Sequence, residues 1–467
     1  MEKKVKGIFT ELDGESFYKI ENYDYMEDFF ITITSSCDVW NFLWSQGGIT
    51  AGRTDSNHAL FPYYTADKVS DMKSVTGHYA SIALQEGGKT IFWEPFAPLL
   101  ARTGSRFIKE EGITRNIYKN LNGTKVWFEE VNERLSLSFR YGWTSSSKFG
   151  LVRLAKIENL SDQKRELFIL DGCRNILPAC ITSDFQNANS VLLDAYKQTD
   201  LMEDEKLALF ALSSVVTDKA EPSEALAANV SYFTVDSPLY ISESCIQSFF
   251  ENEGKAENIP ATNIVKGERP SCFIIQKISL QSQQCQSWEQ VFDTSLTPAK
   301  VLSLAEMLKD RNLLRRDLLE DIENCDKLMT TYISESDGIQ KNDDMISCIH
   351  HRANVMFNIM RGGFFADNGR INCPDFLSFV KERNKGKYQK AEKILAPLRD
   401  KNSIERKVFE QEIAKSDDPQ LTRLFLEYMP LIFSRRHGDP SRPWNKFNSL
   451  QSFKFRISQT YKRKHRI

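Results

Sequence analysis

This sequence lacks long apolar runs and paired-cysteine motifs. No stretch approaches the roughly 18 apolar residues that cross a bilayer, and the first 14 residues contain no apolar signal-peptide core. The nine cysteines are scattered from Cys37 to Cys373 without a C-x-x-C pair. We therefore expect a cytoplasmic protein with reduced, mostly buried thiols, no metal and no membrane partner.

An excess of charge of one sign is also missing. The chain has 61 Lys and Arg against 63 Asp and Glu, a net charge of −2. A balance so close to zero gives no electrostatic reason to expect nucleic acid as a partner. The 467 residues, 41% of them apolar, are enough for two or three domains.

Residues 1–290 predict a mainly β domain. The patterns at 135–140 and 152–157 alternate as in half-buried antiparallel strands, and the continuous apolar run at 166–170 favours a central strand. No pattern of a long helix intervenes, which favours a large β-sandwich. The polar stretch 251–270 predicts an exposed loop.

Residues 291–343 predict a helical linker. Thr297 is suited to a helix N-cap and Pro298 to the first helical position. Apolar residues then recur at helical spacing from Val301 to Cys325, and no Gly or Pro follows until Gly338. The pattern fits one long helix or two joined helices, with one face against a neighbouring domain.

Residues 344–447 predict the first three helices of an all-helical domain. One would run from about 344 to Gly362, the second over 404–414, and the third from Pro419. The last 20 residues, 448–467, contain six Lys or Arg and no acidic residue. They predict a disordered basic tail without a role, with contact to nucleic acid as the alternative.

The segment Phe433–Asn445 combines three guanidiniums, an imidazole, a carboxylate and an indole with helix-breaking Gly and Pro. Guanidinium groups match paired hydroxyls and oxyanions, and an indole covers the apolar face of a sugar. A solvated loop between helices is the alternative. The candidate substrate-binding residues are Arg435, Arg436, His437, Asp439, Arg442 and Trp444.

Three local motifs favour structural over functional interpretations. The stretch 86–90 (EGGKT) lacks the first glycine of a phosphate loop, and a strand pattern follows it. Neighbouring His350 and His351 on a helix point about 100° apart, which does not suit one metal ion. Glu129 and Glu130 on a strand would face opposite sides, which does not suit an acid–base pair.

Trp40, Trp44 and the glycine-rich run 47–53 leave two alternatives open. In the first, these residues line a carbohydrate groove. In the second, they are core and turn residues, because Trp side chains in a large sandwich usually pack into its core.

The sequence resembles the cellobiose phosphorylase family and its relatives over roughly residues 7–447. These proteins join an N-terminal super-β-sandwich through helical linkers to an (α/α)6 barrel. The stretches that carry the resemblance are Phe17–Ile20, Trp40–Arg53 (WNFLWSQGGITAGR), Phe61–Thr65, Thr76-Gly77, Trp93–Phe96, Arg115–Lys119, Asn132–Trp143, Met356–Phe365 (MFNIMRGGFF) and Phe433–Asn445.

The resemblance implies inverting cleavage of a glycosidic bond in an oligosaccharide or disaccharide. A carboxylic acid protonates the glycosidic oxygen while phosphate, or water in hydrolases, attacks from the opposite face. It implies no cofactor, with inorganic phosphate as a co-substrate. The loop at 433–445 corresponds to the sugar-binding side of the barrel, so its residues are contacts and not catalysts.

The sequence departs from this family because a complete barrel needs about twelve helices and only about three are predicted. The general acid is expected beyond the chain end, so the chain fits an N-terminal part with a truncated barrel that is inactive alone. Whether it is an enzyme is left open. The alternatives are a non-catalytic carbohydrate-binding sandwich and a structural or dimerisation fragment, the last implying a homodimer.

Overall fold

The structure is a computed structural model that describes residues 4–101, 111–214, 227–257, 259, 262–335, 338–339, 343–359, 370–398 and 403–428. Two compact units contain them. One comprises the described residues of Met1–Ile33 and Val39–Cys325, and the other those of Thr34–Asp38 and Asp326–Ile467. Among the described helices, none has the length and apolar character needed to cross a membrane.

The strands of the described residues are, in chain order, β1 (Lys6–Leu12), β2 (Glu15–Glu21), β3 (Phe30–Ile33), β4 (Val39–Trp44), β5 (Ile49–Arg53), β6 (Ala59–Phe61), β7 (Gly77–Glu86), β8 (Lys89–Trp93), β9 (Ile113–Asn120), β10 (Val126–Asn132), β11 (Leu137–Ser146), β12 (Gly150–Asn159), β13 (Arg165–Arg174), β14 (Lys197–Met202), β15 (Leu207–Leu212), β16 (Ala228–Phe233), β17 (Leu239–Tyr240), β18 (Ile264–Lys266), β19 (Ser271–Leu280), β20 (Cys285–Leu296), β21 (Arg370–Asn372) and β22 (Ser403–Glu405).

The helices of the same residues are α1 (Ala66–Asp71), α2 (Ala97–Ala101), α3 (Ser183–Tyr196), α4 (Ser244–Glu251), α5 (Pro298–Leu308), α6 (Arg311–Glu335), α7 (Met345–Ile359), α8 (Cys373–Arg383), α9 (Lys385–Leu395), α10 (Arg406–Ala414) and α11 (Pro419–Tyr428).

The first unit is a β-sandwich. One layer is an 11-stranded antiparallel sheet in the order β1-β2-β9-β10-β11-β12-β20-β16-β15-β14-β18. The other layer contains a five-stranded sheet, β17-β19-β13-β7-β8, and a four-stranded sheet, β3-β4-β5-β6. Phe61 of β6 meets Trp143 of β11 edge-on, with ring centroids 5.9 Å apart. The prediction of a mainly β protein with a large N-terminal sandwich and helices afterwards is confirmed.

The alternating segments at 135–140 and 152–157 correspond to β11 and β12, but these strands are not half-buried. In both strands, the side chains on both faces of the sheet are mostly buried. On β12, Arg153 faces the five-stranded sheet, whereas Val152 and Leu154 pack beneath α5 and α6. The sequence pattern misses this cover because the linker helices lie more than 140 residues further along the chain.

The continuous apolar run at 166–170 forms part of β13, the middle strand of the five-stranded sheet. This central position confirms the sequence prediction. Its residues are apolar on both faces because β13 lies between the large sheet and the helix α4, whose Phe249 packs with Leu170.

Two tight hairpins have the residues that their backbones require. Asp13 (φ 51°) and Gly14 (φ 81°) join β1 to β2, and Gly87 (φ 58°) and Gly88 (φ 74°) join β7 to β8. Positive φ at both central positions matches the twist of antiparallel strands, which is why Asp-Gly and Gly-Gly occur here. The stretch 86–90 is therefore a hairpin turn and not a phosphate loop, as predicted.

Two expectations for the β domain were wrong. A 14-residue helix, α3, interrupts the strands, and its start is fixed by the Thr182 hydroxyl, which accepts a hydrogen bond from the Phe185 amide at 3.0 Å. The stretch 251–270 is not all loop, because α4 ends in it and β18 extends one edge of the large sheet.

The linker is two helices, which settles the alternative left open by the sequence. Pro298 begins α5 after Thr297, and α6 continues to Glu335. Leu304, Leu314 and Leu318 pack against Leu154, Val230 and Val291 of the large sheet. The linker therefore completes the core of the sandwich unit on the outer face of that sheet.

In the second unit, the described residues 343–428 form five helices rather than the predicted three. Helices α7, α10 and α11 lie where helices were predicted. Helices α8 and α9 were missed because their segment is rich in Lys and contains Pro374, Asn384 and Gly386. The start of α8 is capped by Asn372, which accepts from the Asp375 amide at 3.0 Å. The assignment of this region to an (α/α)6 barrel stays a prediction.

Helices α8–α11 and the β21–β22 hairpin share one core around Phe376, Phe409 and Phe425. Asp418 ties two of these helices together, because it caps α11 through the Leu421 amide and also accepts from Lys387 of α9 at 2.9 Å. Hydrogen bonds from Lys387 and from Lys390 hold the pKa of Asp418 well below its usual range.

We predict that Leu318→Ala destabilises the protein by about 2–5 kcal/mol, because Leu318 is fully buried between α6 and the large sheet and its removal leaves a cavity. The adjacent Leu319 is 42% exposed, so Leu319→Ala is the matched control and should change stability by less than about 0.5 kcal/mol. Urea unfolding measures both; equal effects would show that α6 does not pack on the sheet as described.

Candidate functional site

The six predicted substrate-binding residues, Arg435, Arg436, His437, Asp439, Arg442 and Trp444, lie outside the described residues, which end at Tyr428. Their role stays a prediction. The predicted basic tail at 448–467 lies outside the described residues as well.

The proposed carbohydrate groove at Trp40 and Trp44 is not an open aromatic surface. Trp40 is 0% exposed, its indole Nε1 donates to the Asp55 carbonyl at 3.1 Å, and Tyr63 packs edge-on against its ring. Trp44 is partly exposed, and its Nε1 has no hydrogen-bond partner among the described residues. Trp40 is therefore a core residue and does not offer a face to a sugar.

The glycine-rich run 47–53 serves the turn between β4 and β5 and their close packing. Gly47 has φ 105°, and a Cβ on Gly52 would lie 2.4 Å from the His58 carbonyl oxygen. Arg53 ends the run in an ion pair with Asp293 at 2.9 Å. Of the two alternatives for this run, the structure supports the one in which its residues belong to the core and to a turn.

Glu129 is buried in a complete hydrogen-bond shell on the outer face of the large sheet. Oε2 accepts from Asn116 at 2.7 Å and from Tyr118 at 2.6 Å, and Oε1 accepts from Arg140 at 2.7 Å. Burial raises the pKa of Glu129, but the Arg140 guanidinium and the hydrogen bonds outweigh it and hold the pKa below its ordinary value.

Glu130 faces the interior of the sandwich. It accepts hydrogen bonds from the Trp93 indole at 2.7 Å, the Phe96 amide at 2.8 Å and Arg115 at 2.7 Å. Burial raises the pKa of Glu130, and Arg115 offsets part of this rise. The adjacent carboxylates therefore serve two separate structural networks on opposite faces, as the strand period predicts.

A fully buried ion pair connects the two layers of the sandwich. Arg153 of β12 donates to Asp171 of β13 through both terminal nitrogens, one of them at 2.9 Å, and both side chains are 0% exposed. The indole of Trp288 donates to Asp171 at 2.7 Å, and Gln290 accepts from Arg153 at 3.3 Å.

His78 borders this ion pair without joining it. Its ring stacks on Tyr141 at 3.9 Å between centroids, and neither nitrogen has a hydrogen-bond partner in the part of the chain that the structure describes. Nδ1 lies 3.8 Å from Asp171, and burial together with Arg153 and Arg174 holds the pKa of His78 well below its usual value. The imidazole is therefore neutral in the folded protein at pH 7.

His350 and His351 are exposed on α7. Across the residues that the structure describes, there is no group of three or more His, Cys, Asp or Glu side chains arranged to hold a metal ion.

No local sequence pattern marks the members of these buried networks, which are Asn116, Tyr118, Arg140, Arg153 and Asp171. The register of β9, β10 and β11 places Asn116 and Arg140 on either side of Glu129. Alternation along each strand shows which residues share a face, but strand pairing decides which of them meet. The contacts among these residues could be predicted only if the pairing register of the strands were known.

The second unit has a recognised relative. Residues 365–430 match the family model described as "Glycoside hydrolase family 149 insertion domain 1". The described part of this match is α8–α11 with the β21–β22 hairpin, which form one core. Over this segment the chain is therefore similar to an insertion domain of a glycoside hydrolase family. The narrower likeness to cellobiose phosphorylases stays a prediction.

Solved structures resemble the chain only distantly, and no curated protein matches it. A bacterial glucoamylase complexed with acarbose aligns with TM-score 0.39 and 10% identity over 65% of this chain and 37% of its own. A galactose mutarotase-like protein from Clostridium acetobutylicum gives 0.31 and 8%, over 62% and 98% of the two chains. A kojibiose phosphorylase homologue from the human microbiome gives 0.24 and 8%, over 60% and 27%. These distant likenesses support no statement about function.

We predict that stability falls with pH below about 6.5 in a manner that depends on His78. Below pH 6.5 His78 is protonated in the unfolded chain, but it stays neutral in the folded protein because folding lowers its pKa. Unfolding is therefore increasingly favoured as the pH falls from 6.5 toward the pKa of His78 in the folded state. The loss from this one group is at most about 1.4 kcal/mol per pH unit.

The measurement is urea unfolding of the wild type and His78→Gln at pH 7.5, 6.5 and 5.5. Carboxylates contribute to both proteins equally, so the difference between the two profiles isolates His78. Parallel profiles would contradict a neutral, buried His78.

Proposed function

We propose that this protein acts on oligosaccharides or disaccharides, within the class of proteins that cleave glycosidic bonds by hydrolysis or phosphorolysis. The match of residues 365–430 to an insertion domain of a glycoside hydrolase family is the observation that carries the proposal. The antiparallel sandwich that precedes this domain is the architecture that the resemblance implies.

The proposed sugar contacts are the loop residues Arg435, Arg436, His437, Asp439, Arg442 and Trp444. Guanidinium forks donate to pairs of neighbouring hydroxyls, a carboxylate accepts from them, and the indole stacks on the apolar ring face. The loop begins at Phe433, shortly after α11 ends at Tyr428.

Binding without turnover by this chain alone is the second part of the proposal. Inverting cleavage needs an acid beside the glycosidic oxygen and a phosphate or an activated water on the opposite face. The neighbouring carboxylates Glu129 and Glu130 do not meet this need, because both are buried and engaged in structural hydrogen bonds on opposite faces.

We expect Arg436→Ala and Trp444→Ala each to weaken saccharide binding about tenfold or more, since losing a charged hydrogen bond or a stacked ring costs about 1.5–3 kcal/mol. Isothermal titration calorimetry with cellobiose, maltose and kojibiose measures the affinity. The matched control is Arg316→Ala, because Arg316 lies on α6 and its side chain is 70% exposed.

We also expect the wild-type chain, incubated with each disaccharide and inorganic phosphate, to release neither a sugar 1-phosphate nor a reducing sugar. Phosphate-dependent formation of a sugar 1-phosphate would refute the statement about turnover. Loss of affinity in Arg316→Ala equal to that in Arg436→Ala would refute the assignment of the loop.

A further inference from the structure

Strand β1 forms an open edge of the large sheet. It lies at one end of the strand order, and it pairs with β2 over all seven of its residues, from Lys6 to Leu12. Across the described residues, no backbone hydrogen bond joins Lys6–Leu12 to a segment other than β2. The backbone N–H and C=O groups on the outer side of β1 are therefore available to another strand.

This edge differs from the other edges of the sandwich sheets. The described strands at those edges, β3, β6, β8, β17 and β18, have two to five residues, whereas β1 has seven. Proteins commonly protect an edge by keeping it short or by placing a bulge, a proline or several charges in it. Strand β1 has a regular register with β2 and no proline, and its charged residues are Lys6 and Glu11, near its two ends. Its edge thus lacks the features that usually prevent pairing with a further strand.

An exposed aromatic pair lies on one face of this edge. Phe9 of β1 pairs with Tyr18 of β2, and their ring centroids are 5.1 Å apart in an edge-on contact. Phe9 is 36% exposed and Tyr18 is 39% exposed. A Cβ on Gly7 would lie 1.9 Å from the Tyr18 hydroxyl oxygen, so the Tyr18 side chain lies against the backbone of β1 at Gly7. The edge therefore combines available backbone groups with an apolar side-chain surface that solvent reaches.

The position of Phe9 favours a second copy of β1 as the strand that occupies this edge. Two identical edge strands that extend one sheet pair antiparallel about a two-fold axis. Phe9 is the middle residue of Lys6–Leu12, so an axis at Phe9 pairs all seven residues of one copy with all seven of the other. In this register Phe9 faces Phe9 of the second copy. The aromatic pairs of the two copies then lie side by side, and cross-strand aromatic pairs stabilise a sheet.

The charges at the two ends of β1 favour the same antiparallel orientation. Lys4 and Lys6 lie at the start of the strand, and Glu11 lies near its end. Antiparallel pairing brings the basic end of one copy beside the acidic end of the other, at both ends of the paired strands. Parallel pairing would instead bring the like charges of the two copies together, which destabilises a sheet.

We propose that two copies of this chain associate reversibly through antiparallel pairing of their β1 strands, centred on Phe9. The large sheets of the two copies then form one continuous antiparallel sheet. One seven-residue strand from each copy makes a small interface, so the dimer has a Kd in the micromolar range. The proposed dimer rests on the edge strand alone and goes beyond the proposed function.

The first test is sedimentation velocity of the full-length chain, in which the wild type should change from monomer to dimer between about 1 and 100 µM. Phe9→Lys places two ammonium groups opposite each other at the two-fold axis, so it should raise the Kd at least about tenfold. The matched control is Ile91→Lys, because Ile91 lies on the edge strand β8 and is 37% exposed, almost as Phe9 is. This control should change the Kd less than about twofold.

The second test is a mixing experiment that asks whether residue 9 contacts itself across the axis. Phe9→Glu alone should weaken association as Phe9→Lys does, because two carboxylates then face each other. An equal mixture of the two variants should associate more tightly than either variant alone, because an ammonium group then faces a carboxylate in the mixed dimer. Damage to the fold at position 9 would not produce this recovery, so the mixture separates loss of the contact from loss of structure.

A wild type that stays monomeric at about 100 µM overturns the proposal. So does a dimer whose Kd is the same in Phe9→Lys as in Ile91→Lys, because association then uses another surface. A mixture that associates no more tightly than the separate variants contradicts the two-fold contact at Phe9. Saccharide binding enters none of these outcomes, so the proposed function is tested separately.

Discussion

The sandwich depends on the ion pair between Arg153 and Asp171, because this fully buried pair of charges joins the two layers within the core. Both side chains are fully buried, the Trp288 indole also donates to Asp171, and Gln290 also accepts from Arg153. Removing one partner of a buried ion pair leaves an uncompensated charge, so this contact favours one arrangement of the two layers. His78 beside it is neutral, because burial, and after it the Arg153 charge, lower the pKa of the imidazole.

Hydrogen bonding also explains the two buried carboxylates elsewhere in the unit. Glu129 accepts from Asn116 and Arg140 and so links neighbouring strands of the large sheet. Glu130 accepts from the Trp93 indole and the Phe96 amide and so joins the large sheet to the other layer. Their engagement in hydrogen bonds makes both carboxylates parts of the scaffold.

Much of this architecture could be predicted from local patterns. The apolar run of β13, the turn at Gly87-Gly88 and the helix start at Pro298 each depend on neighbouring residues, and each was read correctly. Helix α6 packs on β12, and Arg174 of β13 pairs with Ser271 of β19. These contacts join residues far apart in sequence, so a local hydrophobic pattern does not predict them. Helices α3 and α8 were missed although Thr182 and Asn372 are ordinary N-caps, because their polar composition outweighed the capping signal.

The measurement that tests the central constraint most directly is a double-mutant cycle on Arg153→Met and Asp171→Asn, read by urea unfolding. Either single change leaves an uncompensated group in the core, and we expect each to cost about 3–5 kcal/mol. The double variant removes both charges and should cost clearly less than the sum of the two, by at least about 2 kcal/mol. Additive costs would contradict the claim that this ion pair connects the layers of the sandwich.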